Sequence, residues 1–314
     1  CMCGALTIAG YLLVFSWSSA AQDLDKINIG SSTISFSPFS TYYAVERDFF
    51  KREGLDPTIT IIKTEAAIAA LNAGELDYTT FSSSIIDAAL SGFPLRLLAV
   101  IVQQPVQGLV VQEEITEVSD LKGKKVGISS FGGLTYAAAV EVLKHYGLNV
   151  DDVKLLAVGR GPLLVAGLKN RGLDAAFISA PHDIKAVRQG FKVLLQTGDL
   201  FKFPYGGFST SVAKIRENPS EVEKALRAVL GATKAVVDPT NKRDVVQFIA
   251  KFFKLDHDAA IAFYDRLIPA LNPSGIVTKE VIQRAIDRAV EKGLTDQPLD
   301  PDQITDFSFA RKLS

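Results

Sequence analysis

The chain alternates between short apolar runs typical of strands and longer stretches with helical periodicity. Its first quarter predicts, in order, a strand, a helix that stops at Gly54, a strand, a helix and a strand. These five elements are predicted at residues 26–33, 40–57, 58–62, 66–77 and 78–84. Strands that alternate with helices predict parallel or mixed sheets with helices on both faces, so the pattern indicates an α/β fold.

The same order of elements recurs about a hundred residues later. The second set begins with a basic turn, a strand and a glycine loop at residues 121–133. It continues with elements at 135–149, 153–159, 163–174 and 175–181. Three short echoes link the two sets: Gly54-Leu55-Asp56 with Gly147-Leu148-Asn149, Gly74-Glu75-Leu76-Asp77 with Gly172-Leu173-Asp174, and Gly30 with Gly127. An internal repeat of this kind predicts two similar lobes.

Two such lobes would place two sets of strand-end loops opposite each other, as in a clamp that closes on a ligand. The last third differs from both repeats, because one strand at residues 206–215 is followed only by helical patterns. These helices are predicted at residues 218–239, 243–253, 257–271 and 278–293. We expect them to pack against the first lobe.

The start of the chain predicts a secretory leader over residues 1–21. Residues 5–17 form an uncharged apolar run, and small residues at Ser19 and Ala21 fit a cleavage site near Ala21. The run is shorter than the ~20 residues of a membrane span, although a buried N-terminal helix is an alternative. The leader lacks an initiating Met and a basic flank, so we expect the sequence to be truncated at its front. An exported protein follows from this interpretation.

Composition removes several classes of function. The 314 residues carry 34 basic and 35 acidic side chains, for a net charge of -1, which argues against a nucleic-acid-binding protein. Cys1 and Cys3 are the only cysteines, and both lie in the predicted leader. A thiol nucleophile and a Cys-ligated metal are therefore excluded from the rest of the chain. The three histidines are scattered, and the sequence has no common hydrolase or phosphate-loop motif. We predict no catalytic residue, no metal and no cofactor.

Motifs spread over most of the chain resemble the NMT1/THI5-like family, which includes the nitrate-, sulfonate- and taurine-binding proteins of ABC importers. The residues that carry the resemblance are Tyr42-Tyr43-Ala44-Val45-Glu46, Phe49-Phe50-Lys51-Arg52-Glu53-Gly54-Leu55, Ala73-Gly74-Glu75-Leu76-Asp77, Leu121-Lys122-Gly123-Lys124-Lys125-Val126-Gly127, Gly172-Leu173-Asp174-Ala175-Ala176 and Glu217-Asn218-Pro219. Each motif is short and weak alone, whereas the order and spacing of the set are specific.

The resemblance implies a type II periplasmic-binding-protein fold, with two α/β lobes of mixed sheets joined by two hinge strands. Lobe 1 would comprise residues 25–108 and 206–314, and lobe 2 residues 109–205. It also implies a monomeric periplasmic protein that binds a small solute and delivers it to an ABC permease in the inner membrane. Two alternatives remain: a THI5-like pyrimidine-precursor synthase or pyrimidine-binding protein, and a ligand-sensing receptor of the same fold.

The candidate ligand-binding residues lie in loops before helices and after strands. Lobe 1 offers Thr33, Phe36, Ser37 and Phe39, with Ser82, Ser83 and Ser84 after its third strand, and lobe 2 offers Ser129, Ser130, Gly132, Gly133, Leu134 and Thr135, with the aromatic Tyr205 at its end. Hydroxyls and free N–H groups at a helix N-terminus suit an anion, although Ser and Thr also cap helices without any ligand. The sequence therefore predicts a small organic anion, such as a sulfonate or carboxylate.

Three further candidates follow strands of the second lobe. Arg160 lies in a Gly-Arg-Gly setting, where its guanidinium could pair with a carboxylate or sulfonate or could simply face solvent. Pro181 and His182 follow the last strand of the repeat, and we expect His182 to contact the cleft rather than to catalyse a reaction. Aromatic candidates for an apolar part of the ligand also include Phe131 and Tyr136, with core packing favoured for Phe39 and Tyr136.

Overall fold

The computed structural model describes residues 24–32, 34–131, 133–291, 293–295 and 299–314. The leader predicted at residues 1–21 and the candidate residues Thr33 and Gly132 lie outside the described residues. Within the described part of the chain, no helix has both the length and the apolar character needed to cross a membrane.

The first sheet contains five strands from both ends of the chain. They are β1 (Asp25–Ser31), β2 (Leu55–Ile61), β3 (Tyr78–Thr79), β4 (Leu95–Val102) and β10 (Gly206–Ser211). Their spatial order is β2-β1-β3-β10-β4. Strand β1 runs parallel to β2 and β3, whereas β10 runs antiparallel to β3 and β4. The sheet is therefore mixed.

The second sheet has the same plan and is built from the middle of the chain. Its strands are β5 (Gln107–Val111), β6 (Lys125–Ile128), β7 (Lys154–Ala157), β8 (Ala175–Ser179) and β9 (Lys192–Gln196). Their order is β7-β6-β8-β5-β9, with β6 parallel to β7 and β8 and with β5 antiparallel to β8 and β9. Residues 103–106 and 197–205 connect the two sheets. The described chain thus forms a two-lobe α/β architecture.

Helices cover both sheets. Those from the first part of the chain are α1 (Phe39–Glu46), α2 (Phe49–Arg52), α3 (Thr64–Ala73) and α4 (Ser83–Leu90). Those of the second lobe are α5 (Leu134–His145), α6 (Gly161–Lys169) and α7 (His182–Arg188). The C-terminal helices are α8 (Val212–Glu217), α9 (Pro219–Val237), α10 (Lys242–Phe253), α11 (His257–Ala270), α12 (Lys279–Glu291) and α13 (Ser308–Leu313).

The echoing glycine and Leu-Asp motifs have the same structural role in both lobes. A Cβ atom at Gly30 would lie 2.7 Å from the Leu76 side chain, and one at Gly127 would lie 2.5 Å from the Leu173 side chain. Glycine therefore lets each leucine pack directly on the first strand of its lobe. The aspartate that follows Leu76 accepts a hydrogen bond from the Asn28 backbone N–H, and its counterpart after Leu173 accepts one from Lys125. The sequence repeat is thus a repeat of strand–helix packing.

Three element predictions differ from the structure. One is the strand predicted at 206–215, which ends at Ser211, and Val212 already begins α8. The helix predicted at 40–57 divides into α1 and α2, because Asp48 adopts a left-handed conformation (φ 56°) and interrupts the helix. Strand β2 then begins at Leu55 and includes Pro57, which an edge strand tolerates because its missing N–H faces away from the ladder. The strand predicted at 78–84 ends at Thr79, and Ser83 already begins α4.

The C-terminal helices pack on the first sheet. Helices α9, α10 and α11 share one apolar core with β1, α1 and β4, and α12 packs on the other face against α4 and β4. Phe36 and Phe39 lie inside this core, 1% and 0% exposed, where both contact Phe263. The ring centroid of Phe39 also lies 5.5 Å from that of Phe248. These two candidate ligand residues therefore form core contacts instead.

Candidate functional site

A cleft of about 370 Å³ lies between the two sheets. It is lined at the carboxyl ends of four parallel strands, by Ser31 at the end of β1, Thr80 after β3, Ser129 after β6 and Ser179 at the end of β8. In open α/β sheets this edge is where ligands bind, because the loops that follow the strands leave a crevice there. Both lobes contribute, so a molecule in the cleft would contact both at once.

Six helices begin at the cleft, and this is the main source of its polarity. The first residues of α3 and α4, and Pro38 before α1, line it from lobe 1, while α5, α6 and α7 begin on the lobe 2 side. In none of the six does the N-cap side chain accept from the helix, in contrast to α11, where Asp256 accepts from the Ala259 N–H. In α7, however, the Asp183 carboxylate accepts from the Ile184 N–H of the first turn. Uncapped N–H groups and the positive end of the helix dipole favour an anionic ligand.

About half of the residues that line the cleft carry a hydroxyl group. These are Ser31, Ser32, Ser35, Ser37, Thr64, Thr80, Ser82, Ser83, Ser84, Ser129, Thr135, Ser179 and Tyr205. Two of them are held in place by the backbone of neighbouring loops. Ser82 donates to the Pro204 carbonyl over 2.5 Å, and the Thr135 hydroxyl oxygen accepts from the Ser129 N–H over 2.9 Å. The surface is therefore rich in short donors and acceptors with fixed positions.

Arg160 provides the permanent charge of the cleft. It is exposed and precedes α6, and its guanidinium makes no hydrogen bond or ion pair with the described residues. Among the described residues that line the cleft, no side chain is acidic. A cation without a protein partner, in a cleft without an opposing carboxylate, is available to an anion.

His182 lies next to Arg160 and is expected to be neutral at pH 7. Burial lowers its pKa below the usual value, and the nearby Lys185 lowers it further. A Cβ atom at Gly161 would lie 2.3 Å from the His182 ring, so this glycine lets the imidazole lie directly on the first turn of α6. His182 therefore offers the cleft one ring N–H donor and one acceptor rather than a second charge.

The floor of the cleft is a buried polar network between the two connecting segments. The Tyr205 hydroxyl accepts from Gln107 Nε2 over 3.1 Å, and Ser179 Oγ lies 3.4 Å from the same oxygen. Thr197 donates to the Gln107 carbonyl oxygen over 3.0 Å. Burial raises the pKa of Tyr205 to about 12, so its hydroxyl stays protonated. The network joins the start of β5 to the segment that connects β9 with β10.

Asp183, which follows His182, forms an ion pair between the lobes. The Asp183 carboxylate is fully buried and contacts the Arg266 guanidinium of α11. A second pair, Arg188 with Asp256, joins the same two segments. Burial raises the pKa of Asp183 to about 6, although Arg266 opposes this change. Asp183 thus positions α7 on the first lobe and does not line the cleft.

The structure brings most of the candidate residues from the sequence together. The residues that line the cleft are Ser37, Ser82, Ser83, Ser84, Ser129, Gly133, Leu134, Thr135, Arg160, Pro181, His182 and Tyr205. Ser130 lies beside it: its hydroxyl would be 2.7 Å from a Cβ atom at Gly133. Phe36 and Phe39 lie in the core instead. Phe131, 62% exposed, packs against Tyr136 outside the lining.

Sequence patterns missed several lining residues. Thr64 and Ser179 have a signal that could have found them, because each stands at the start of a helix or the end of a strand of the repeat. No sequence signal marks Gln107, because it begins the apolar strand Gln107–Val111 and belongs to no motif of the repeat. The other residues missed are Ser31, Ser32, Ile34, Ser35, Pro38, Thr80, Phe81, Gly161, Leu164 and Ala180.

The architecture of two mixed sheets with a ligand cleft between them is that of periplasmic binding proteins. The periplasmic aliphatic sulphonate binding protein SsuA of Escherichia coli superposes with a TM-score of 0.73 at 20% identity, over 89% of this chain and 96% of that one. The periplasmic nitrate-binding protein NrtA of Synechocystis PCC 6803 gives a TM-score of 0.73 at 17% identity, over 93% and 88% of the two chains. Both share this fold.

Residues 36–242 match the NMT1/THI5 like family model, and the chain belongs to that family. A relative from Brucella abortus that is named as a binding protein is 24% identical over 309 residues, 92% of each chain. The desulfurization enzyme DSZB also shares the fold, with a TM-score of 0.67 at 17% identity over 92% of this chain and 98% of that one. The fold alone therefore does not separate binding proteins from enzymes.

Proposed function

We propose that the protein is the periplasmic solute-binding component of an ABC importer, and that its two lobes close on a small organic anion of the sulfonate or carboxylate type. The observation that carries this proposal is the cleft lining. It combines uncapped helix N-termini, many hydroxyl groups and the unpartnered Arg160, and no acidic side chain faces them among the described residues. Each of these features favours negative charge.

The ligand would span the cleft. Its anionic group would be held by the first N–H groups of α5 and by the Gly161 N–H of α6 together with Arg160, all from lobe 2. The other early positions of α6 contribute none, because Pro162 has no N–H and the Leu163 N–H donates to the Arg160 carbonyl oxygen. Its opposite end would contact the serines that begin α4 in lobe 1. Neither lobe alone supplies all of these contacts. A ligand that contacts both lobes would therefore favour their closed arrangement.

The test is a thermal-shift screen followed by calorimetry. The panel contains an alkanesulfonate, a short carboxylate, nitrate, bicarbonate and a pyrimidine. A ligand present at 100 times its Kd adds about 2.7 kcal/mol to stability, which raises the melting temperature measurably. The Arg160→Gln variant should bind an anionic hit at least tenfold more weakly. Lys192→Gln, which removes an exposed cation on β9 away from the cleft, should bind as the wild type does.

Other outcomes separate the alternatives. If the pyrimidine alone stabilises the protein, and Arg160→Gln leaves its affinity unchanged, the pyrimidine-binding alternative replaces the anion proposal. If no panel member shifts the melting temperature, the solute-receptor proposal fails. Delivery to a permease is tested in cells that lack this protein: they should lose uptake of the labelled ligand. A receptor that only signals would leave uptake intact.

A further inference from the structure

A second cavity of about 260 Å³ lies between α5 of lobe 2 and α12 of lobe 1. Its walls include Ala137 and Ala138 from α5, Phe201 and Phe203 from the returning segment, and Arg288 from α12. It meets the ligand cleft at Leu134 and Tyr205, which line both. The cavity is thus a separate space beside the hinge.

The inner wall of this cavity is apolar apart from one guanidinium. Arg288 stacks on Phe203, with its Cζ atom 4.4 Å from the ring centroid. Its Nε atom is buried and has no hydrogen-bond partner among the described residues. An unsatisfied buried donor is costly, so the arrangement gains from an acceptor that enters the cavity. Burial also lowers the pKa of Arg288, whereas the negative charges of Asp87, Glu141 and Glu291 oppose this change.

The other charged residues of the lining lie at its rim. Lys202 and Arg284 stand with the acidic residues Glu141, Asp287 and Glu291, and all five are exposed. Water and salt screen exposed charges far more than a buried one. Arg288, which is half-buried, is therefore the least screened charge of the described lining, and the flat ring of Phe203 and the two alanines provide an apolar surface beside it.

We propose that this cavity is a second binding site, for a small aromatic carboxylate. The carboxylate would pair with Arg288, whose planar guanidinium suits a two-oxygen acceptor once the side chain shifts to expose Nε. The ring would lie against Phe203 and the alanine face of α5. Since α5 and α12 belong to different lobes, an occupant would also bias how far the lobes close. This coupling, unlike the binding itself, rests on the proposed function.

The test uses benzoate as the probe and calorimetry or ligand-observed NMR as the readout. Benzamide, which has the same ring without the charge, serves as the matched ligand. Benzoate should bind the wild type at least tenfold more tightly than benzamide. Arg288→Met should remove that preference, whereas Arg284→Met, at the rim of the same helix, should keep it. Ala137→Leu, which fills the cavity and suits a helix, should abolish binding of both probes.

Benzoate is also a small organic anion, so the cleft itself must be excluded. Arg160→Gln should leave benzoate binding unchanged if the site lies between α5 and α12. The proposal is overturned if benzoate does not bind, if its binding is lost with Arg160→Gln, or if Arg284→Met weakens it as much as Arg288→Met does. Loss of benzoate binding with Arg160→Gln would instead assign benzoate to the cleft. Failure of the cavity proposal thus leaves the cleft proposal standing, because the latter is tested by the Arg160→Gln comparison with the cleft ligand.

Discussion

Gln107 donates a hydrogen bond from its side-chain amide to the Tyr205 hydroxyl oxygen over 3.1 Å. Gln107 begins β5 directly after the first connection between the lobes, Tyr205 is the last residue of the second connection, and both line the cleft. A buried amide bound to a buried hydroxyl is sensitive to loss of either partner, because the remaining group has no water to replace it. The contact thus links the cleft floor to the hinge.

Removing the Tyr205 hydroxyl should therefore affect both stability and binding. Tyr205→Phe leaves Gln107 Nε2 without its acceptor and should lower the free energy of unfolding by about 1–3 kcal/mol. Urea denaturation measures this change, and calorimetry with the cleft ligand measures the loss of one polar contact. Tyr146→Phe, at an exposed position after α5, is the matched control and should be neutral. Equal stability of the two variants would contradict the proposed role of the network.

A methyl group at Gly161 should disturb the cleft through His182. The added Cβ would lie 2.3 Å from the imidazole, closer than any carbon contact allows, so the ring must move. Overpacking of this kind costs about 1–3 kcal/mol. We expect Gly161→Ala to weaken ligand binding at least fivefold. In Gly172→Ala the nearest atom, the Gly167 carbonyl oxygen, lies at an ordinary 3.6 Å, and binding should be retained. Unchanged binding by Gly161→Ala would exclude His182 from the site.

The buried Asp183 should make stability depend on pH in an unusual direction. Its pKa is raised from 3.8 to about 6 in the folded protein, so the folded state holds this proton more tightly than the unfolded chain does. Asp183 therefore adds about 3 kcal/mol to the free energy of unfolding below about pH 4. This stabilisation is lost as the pH rises through about 6. Asp183→Asn cannot ionise and provides the reference.

The measurement is urea denaturation of both proteins between pH 4 and pH 7.5. Relative to Asp183→Asn, the wild type should lose stability as the pH rises. Other carboxylates contribute equally to both proteins, so they cancel in the difference. A wild type that instead gains stability over the variant with rising pH would show that attraction to Arg266 outweighs burial.

Binding of an anion should strengthen when His182 becomes protonated. Burial and Lys185 hold its pKa below the usual value, so the affinity should be constant between pH 7 and pH 8 and should rise in more acidic solution. Calorimetry at a series of pH values tests this with the cleft ligand. In the His182→Gln variant this increase in affinity should disappear, although Asp183 still titrates in the same pH range. A rise of equal size in that variant would assign the effect to another group.

Local patterns were enough to predict the alternation of strands and helices, the repeat and most of the cleft loops. They succeeded because each repeat packs on itself: Gly127 of β6 and Leu173 after α6 meet within one lobe, and Asp174 accepts from the Lys125 N–H at the start of β6. Serines before α4 and glycine before α5 likewise carry a local signal for a helix start.

The structure was needed where a residue's role depends on distant parts of the chain. Phe36 stands in a serine-rich loop that suggested ligand contact, yet Phe263 of α11 covers it and makes it part of the core. Gln107 begins an apolar strand, and only the return of the chain at Tyr205 gives its amide a partner.

The sequence by itself therefore determined the two lobes, their repeated strand–helix units and the polar character of the loops between them. The tertiary structure alone decided which side chains share a surface. Arg288 shows the difference: helical periodicity places it on α12, but its stacking on Phe203 and its unsatisfied Nε arise where two lobes meet. The physical reason is that backbone propensity acts over a few residues, whereas burial and charge pairing depend on segments that chain folding brings together.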